Sequence, residues 1–160
     1  ADAVRGDAAF CCLGTTMKRA GSRDAFYAVD FSMVEAYARA ARANGVPHFI
    51  LISALGADAS SSFFYMKVKG EVERAVTGLG FPSLTVVRPS LLTGQRREKR
   101  FGEGLARILA PPLGKYRSIP AALVARALVE SAARPPAGAR VLAGNAIEKY
   151  ARSKEGEGHV

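Results

Sequence analysis

Tyr65 and Lys69 stand four positions apart in the stretch FFYMKVKGEVE, residues 63–73. On a helix that spacing puts both side chains on one face, where they can meet one ligand. An ammonium beside a phenol favours the phenolate, lowering the phenol pKa from about 10 so that it can exchange a proton with a carbonyl or an alcohol. The spacing alone is weak evidence, since the chain has five tyrosines and a Tyr packed on a sheet beside a solvated Lys gives the same pattern. Ser53 strengthens it. This serine closes the apolar run HFILIS, residues 48–53, one loop before Tyr65. Its hydroxyl can lie next to the phenol at a sheet's carboxyl edge and hold a substrate oxygen, although a serine ending a strand also serves as a cap or turn residue. Ser60 to Ser62 read as loop polarity.

These residues need elements to position them. The run AAFCCL, residues 8–13, stops at Gly14 as a strand buried on both faces would. GTTMKRAGSRDAF, residues 14–26, reads as a polar loop, and Asp30 stands where an N-cap belongs. A helix then follows in FSMVEAYARAARANG, with Glu35 in its first turn and Gly45 supplying a left-handed stop. HFILIS is the second strand, residues 54–64 are loop, and a helix runs from Tyr65 to about Thr77. SLTVVR, residues 83–88, is a third strand closed by Pro89. A helix near Gly104–Leu109, another at Ala121–Ala133 and a short strand at Arg140–Leu142 complete the series, and the tail from Ser153 is too polar and Gly-rich to need order. Strands alternating with helices predict an α/β fold with a mostly parallel sheet. Ligands are then expected beyond the carboxyl ends of the strands, at Gly14–Thr16, Ser53–Gly56 and Pro89–Leu92.

Composition limits the alternatives. The chain has 160 residues, 49% hydrophobic, which suits one domain with a core of its own. No apolar run nears the roughly 20 residues that cross a bilayer, and the start lacks a signal peptide's pattern, so the expectation is no membrane and a cytoplasmic protein. Cys11 and Cys12 are adjacent, which disfavours both a disulfide and a metal site, and they read as buried thiols. The net charge of +9 and the pI near 10.0 raise the question of nucleic acid. The one dense basic cluster, QRREKR at residues 95–100, carries a Glu and has no neighbouring aromatics for base stacking. Arg96, Arg97 and Arg100 therefore read as a solvated loop or an edge facing an acidic small molecule, and no nucleic acid is expected. His48 and His159 read as incidental, and Arg88 could face either a cofactor or a neighbouring carboxylate.

FCCLGTT, AGS, VD, LISALGAD, YMKVKGEVE and VVRPSLLTGQRRE resemble, in order and spacing, the atypical short-chain dehydrogenase/reductases of the HIV Tat-interactive protein type. The resemblance runs essentially to the C-terminus. It implies a Rossmann-like fold holding NADP, or NAD, and a small-molecule carbonyl substrate. It also implies Tyr65 as catalytic acid/base, Ser53 on the substrate oxygen, and Lys69 on the nicotinamide ribose. Gly14, Thr15 and Thr16 would lie beside the cofactor, and Pro89, Ser90 and Leu91 would line its nicotinamide end.

The chain departs from that family at its start. Members open with a βαβ unit whose Gly-rich loop cradles the pyrophosphate on backbone N–H groups. Here CLGTTMKRAG, residues 12–21, has two glycines too far apart for that fingerprint, with no helix evident at the second. The expectation is one Rossmann-like domain, residues 1–160, forming the C-terminal portion of the fold, with AAFCCL as an uncovered edge strand. Two functions follow: an NADP-dependent oxidoreductase, or a module of the same fold that senses cofactor or binds a protein partner without catalysis. Asp30 has a ribose-side role open to it, which the cap reading does not require. Oligomeric state is not legible.

Overall fold

Four apolar runs become one parallel sheet. A computed structural model describes residues 4–93 and 118–153 of the chain. Strand β1 (Ala8–Cys11) pairs with β2 (His48–Ile52), β2 with β3 (Ser83–Arg88), and β3 with β6 (Gly138–Ala143), all in parallel. The register sets Cys11 opposite Leu51 and Ile52 opposite Val87, so the carboxyl ends of β1, β2 and β3 open on the same edge. A two-residue pairing of β4 (Leu92–Thr93) with β5 (Ile119–Pro120) lies beyond β3.

Helices cover both faces, as parallel strands without a solvated side require. On one face, Val34, Ala38 and Ala41 of α3 (Val34–Ala43) and Val72 and Val76 of α4 (Phe64–Gly78) pack on Ala9, Cys11, Phe49, Leu51, Leu84 and Val86. On the other, α5 (Ala121–Ala133) and α6 (Asn145–Arg152) enclose Ile50, Val87 and Leu142 with Val124, Leu128 and Ile147. This three-layer arrangement is the Rossmann-like α/β fold expected from the strand and helix order.

Several expectations need correction. Residues 14–26 are not a loop: Thr16 caps a short helix α1 (Met17–Ala20), and Ser22 caps α2 (Arg23–Tyr27), its hydroxyl accepting from the Ala25 N–H at 3.1 Å. A helix therefore does begin just after the second glycine, Gly21. Asp30 is not a cap either, because the helical run continues from α2 through a π-helical stretch, Ala28–Met33, into α3. Gly45 does stop α3 as expected, at φ +76°. Cys12 is exposed while Cys11 is buried. β1 is buried on one face only, with Phe10 42% exposed, because no described helix covers the second face at this end of the sheet. Among the described residues β1 is the first strand of the sheet, and Phe10, Cys12, Leu13 and Tyr37 line an open hollow of about 390 Å³ there. The QRREKR cluster with Arg96, Arg97 and Arg100, the helix near Gly104–Leu109, and His159 lie outside the described residues.

Candidate active site

Helix α4 begins at the carboxyl edge of the sheet and carries Tyr65 in its first turn and Lys69 one turn later. Its placement depends on Gly70. A Cβ at that position would overlap the backbone of Asp58 and Ala59, so only glycine lets the β2–α4 loop lie against the helix. The loop is held from within as well: Asp58 accepts from the Ser60 N–H at 2.8 Å and the Ser60 hydroxyl at 2.7 Å, and these bonds depress its carboxyl pKa. Arg88, open between two roles in the sequence, faces the neighbouring carboxylate, Glu73 of α4.

The Lys69 ammonium lies 2.7 Å from Asp30 Oδ1, with the two side chains 7% and 1% exposed. The second carboxylate oxygen, Oδ2, accepts the Thr15 N–H at 2.8 Å. Gly14 closes over this pair: a Cβ there would stand 3.4 Å from Asp30 Oδ1 and 3.7 Å from Lys69 Nζ. One carboxylate thus joins the loop after β1 to the face of α4 that carries Lys69. Cys11 is close enough to feel the Lys69 charge, but burial dominates and pushes its thiol pKa up, so it offers no second anion.

Tyr65 is partly exposed, and its ring packs against Phe26 at 5.8 Å between centroids. Phe26 is fully buried and also meets Phe64, at 5.7 Å. Phe26 and Asp30, four residues apart, face Tyr65 and Lys69, likewise four apart.

Ser53 continues the sheet through its N–H, which donates to Val87 O at 2.8 Å. Its side chain does not act as a cap or turn. The residue is 5% exposed, and Oγ has no partner among the described residues. A buried hydroxyl without a partner is costly unless a ligand satisfies it. Leu55 N–H donates to Pro89 O at 3.0 Å, tying the loop after β2 to the loop after β3.

The structure therefore links Thr15 to Lys69 through Asp30, lays Gly14 beside that pair, brings the Ser53 loop to Pro89, and sets Tyr65 on the same edge. Thr16 is engaged in capping α1, its hydroxyl accepting from the Arg19 N–H at 3.2 Å. Ser90 is half-buried, and the exposed Leu91 accepts through its carbonyl from Ile119 N–H at 2.9 Å. Residues missed in the sequence are Phe26 and, as an ion-pair member, Asp30. A signal for them existed. Once a helix is started at Ser22, residues 26, 30, 34, 38 and 41 form one buried stripe, and an Asp in such a stripe needs a cationic partner. His48 stands at the opposite end of β2, buried against Thr85 Oγ1 at 3.1 Å, which agrees with a role outside the site.

A model of the NAD(P)H-binding family matches residues 1–135. The chain belongs to that family. Within it, the chain is 44% identical over 136 residues to the protein HTATIP2 of Rattus norvegicus, covering 82% of this chain and 56% of that protein. It is 44% identical over 106 residues to the mitochondrial protein fmp52 of Emericella nidulans, covering 66% and 46%, and 36% identical over 156 residues to that of Aspergillus fumigatus, covering 88% and 67%. The resemblance read from the motifs thus holds, and the chain spans about half the length of the first two relatives. Among solved structures, MoeE5 in complex with UDP-glucose and NAD matches with a TM-score of 0.65 at 14% identity, over 92% of this chain and 62% of that one. UDP-glucose 4-epimerase from Thermotoga maritima matches with a TM-score of 0.65 at 15% identity, over 96% and 62%. These likenesses confirm the fold of this NAD(P)H-binding family member. No helix among the described residues is long and apolar enough to cross a membrane.

Proposed function

We propose that this family member carries the catalytic half of an NADP-dependent carbonyl reductase, with Ser53, Tyr65 and Lys69 as its catalytic residues. The observation that carries the reading is the buried Ser53 Oγ, without a partner among the described residues, at the sheet edge from which α4 presents Tyr65 and Lys69. The residues fit the nicotinamide-ribose end of such a cofactor. Lys69 has three N–H donors and Asp30 occupies one side of it, so donors remain for ribose hydroxyls. In this reading Gly14, Thr15 and Thr16 lie beside the cofactor in the loop after β1, and Pro89, Ser90 and Leu91 line its nicotinamide end in the loop after β3.

The bound nicotinamide supplies the hydride in such a reaction. Ser53 Oγ donates a hydrogen bond to the substrate oxygen, which draws charge to that oxygen and satisfies the orphaned hydroxyl. Tyr65 Oη holds the proton that this oxygen takes up, while Phe26 fixes the ring plane. Lys69 orients the ribose and stabilises the phenolate left behind. NADP over NAD follows the family resemblance, and a cytoplasmic site is the expectation from composition. The mitochondrial names of the fungal relatives favour the other compartment, and cell fractionation separates the two.

The test is NADPH oxidation with a panel of aldehydes and ketones, comparing the chain with Tyr65→Phe. A loss of about a hundredfold or more in kcat is expected, and undiminished turnover in the variant sinks the assignment. A second reading is a cofactor-sensing or protein-binding module without catalysis. It is favoured by the open edge of β1 with its apolar hollow. NADPH binding by calorimetry with no turnover on any carbonyl would select it.

A further inference from the structure

We propose that Asp30 is the positioning residue of the Tyr65–Lys69 pair, and that it makes Lys69 act on Tyr65 as half of an ion pair instead of as a free cation. The proposal rests on the reductase reading for its catalytic consequence only. Its electrostatic content concerns the unliganded chain.

Four facts carry it. The ammonium and carboxylate are in contact at 2.7 Å and almost wholly buried, so the pair is screened little by water. Asp30 cannot swing away easily, because Oδ2 is tied to the Thr15 N–H and Gly14 packs over Oδ1. Its backbone lies in a π-helical stretch, an irregularity that tends to mark functional positions in helices. Finally, the same helical run sends Phe26 against the Tyr65 ring, so one element sets both the ring and the charge next to it.

A free ammonium one turn from a phenol lowers its pKa, and a carboxylate in contact with that ammonium cancels much of the effect. Arg23 of α2 lies 5.2 Å from the Phe64 ring centroid and adds a cation near this turn that is common to every variant compared below. Cys11 of β1 has its pKa pushed up by burial, Glu73 of α4 is engaged by Arg88 of β3, and Asp30 remains the anion facing Lys69 among the described residues. The consequence for turnover is that Tyr65 keeps its proton to higher pH than a free lysine would allow, which suits a proton donor.

The test is a pH titration of isotope-labelled tyrosine ring carbons by NMR on the chain without cofactor, with Tyr65 assigned through Tyr65→Phe. Asp30→Asn keeps an acceptor for the Thr15 N–H and removes the charge. The Tyr65 midpoint should fall by about one pH unit, and Asp30→Glu should restore most of it. Should Asp30→Asn not fold, Lys69→Met is compared with the double variant Asp30→Asn/Lys69→Met, which buries neither charge. The double variant should titrate about one unit lower than Lys69→Met. Coincident Tyr65 midpoints within either pair overturn the proposal. Because no turnover is measured, a failed reductase reading leaves this result standing, and the reverse holds too. If both hold, the alkaline limb of carbonyl reduction moves to lower pH in Asp30→Asn by the same amount.

Discussion

Arg88, the last residue of β3, grips Glu73 of α4, its Nε lying 3.0 and 3.1 Å from the two carboxylate oxygens while Nη2 reaches Oε2. The contact ties α4 to the sheet one turn below Lys69. Glu73 is nearly buried and Arg88 about one-third exposed, and the Glu73 carboxylate holds the guanidinium pKa above its ordinary value.

Glu73→Gln should destabilise the fold by about 2 kcal/mol, since it leaves Arg88 without its anion in a half-buried place. Removing both charges, as Glu73→Gln with Arg88→Met, should cost less than that single change. Urea unfolding followed by circular dichroism gives both values, and a double variant weaker than the single would refute the account.

Gly70→Ala should cost about 2–3 kcal/mol, because the added methyl overlaps the backbone of the β2–α4 loop instead of a movable side chain. Gly78→Ala, with open space around its Cβ position, is the control within the same helix and should be neutral or slightly stabilising. Paired thermal melts distinguish loop overlap from a general intolerance of α4 to alanine.

Ser53→Ala should separate stability from activity. The hydroxyl has no partner among the described residues to lose, so the melting temperature should hold or rise, while carbonyl reduction should fall by about a hundredfold. A large loss of stability would show that Oγ has a structural role.

Acid should weaken the fold through His48. Burial, and secondarily the Arg140 charge, depress its pKa below the usual histidine value. Above about pH 6.5 the ring is neutral in both folded and unfolded chains and contributes no pH dependence. Below that, the unfolded chain takes up a proton that the folded chain resists, so stability falls as pH drops from about 6.5 towards 5. His48→Gln, which can keep a bond to Thr85 Oγ1, should flatten that slope. The Asp58 carboxyl, depressed by Ser60, acts in a separate window below about pH 4.

How much was legible follows from the range of each interaction. Strands β2 and β3 matched their expected bounds to within a residue because a buried parallel strand is an unbroken apolar run, and flanking Pro and Ser mark its ends. The stop of α3 at Gly45 is equally local. The start of its helical run was misplaced because Asp is a good cap as well as a buried ion-pair partner, and nothing within one turn of Asp30 distinguishes the two. Ser22, the true cap, was hidden in a segment whose polarity suggested a loop.

The α/β alternation, the family, and the candidates Ser53, Tyr65 and Lys69 were legible in the order of residues alone, because periodicity, strand ends and motif order are properties of neighbouring residues. That Lys69 is paired with Asp30, that Phe26 backs Tyr65, that Arg88 serves Glu73, and that Ser53 Oγ has no partner among the described residues came only from the fold. Those facts depend on packing between residues as much as 39 positions apart, as in the Lys69–Asp30 pair, and burial leaves each charge or hydroxyl only the partners that the fold brings within reach.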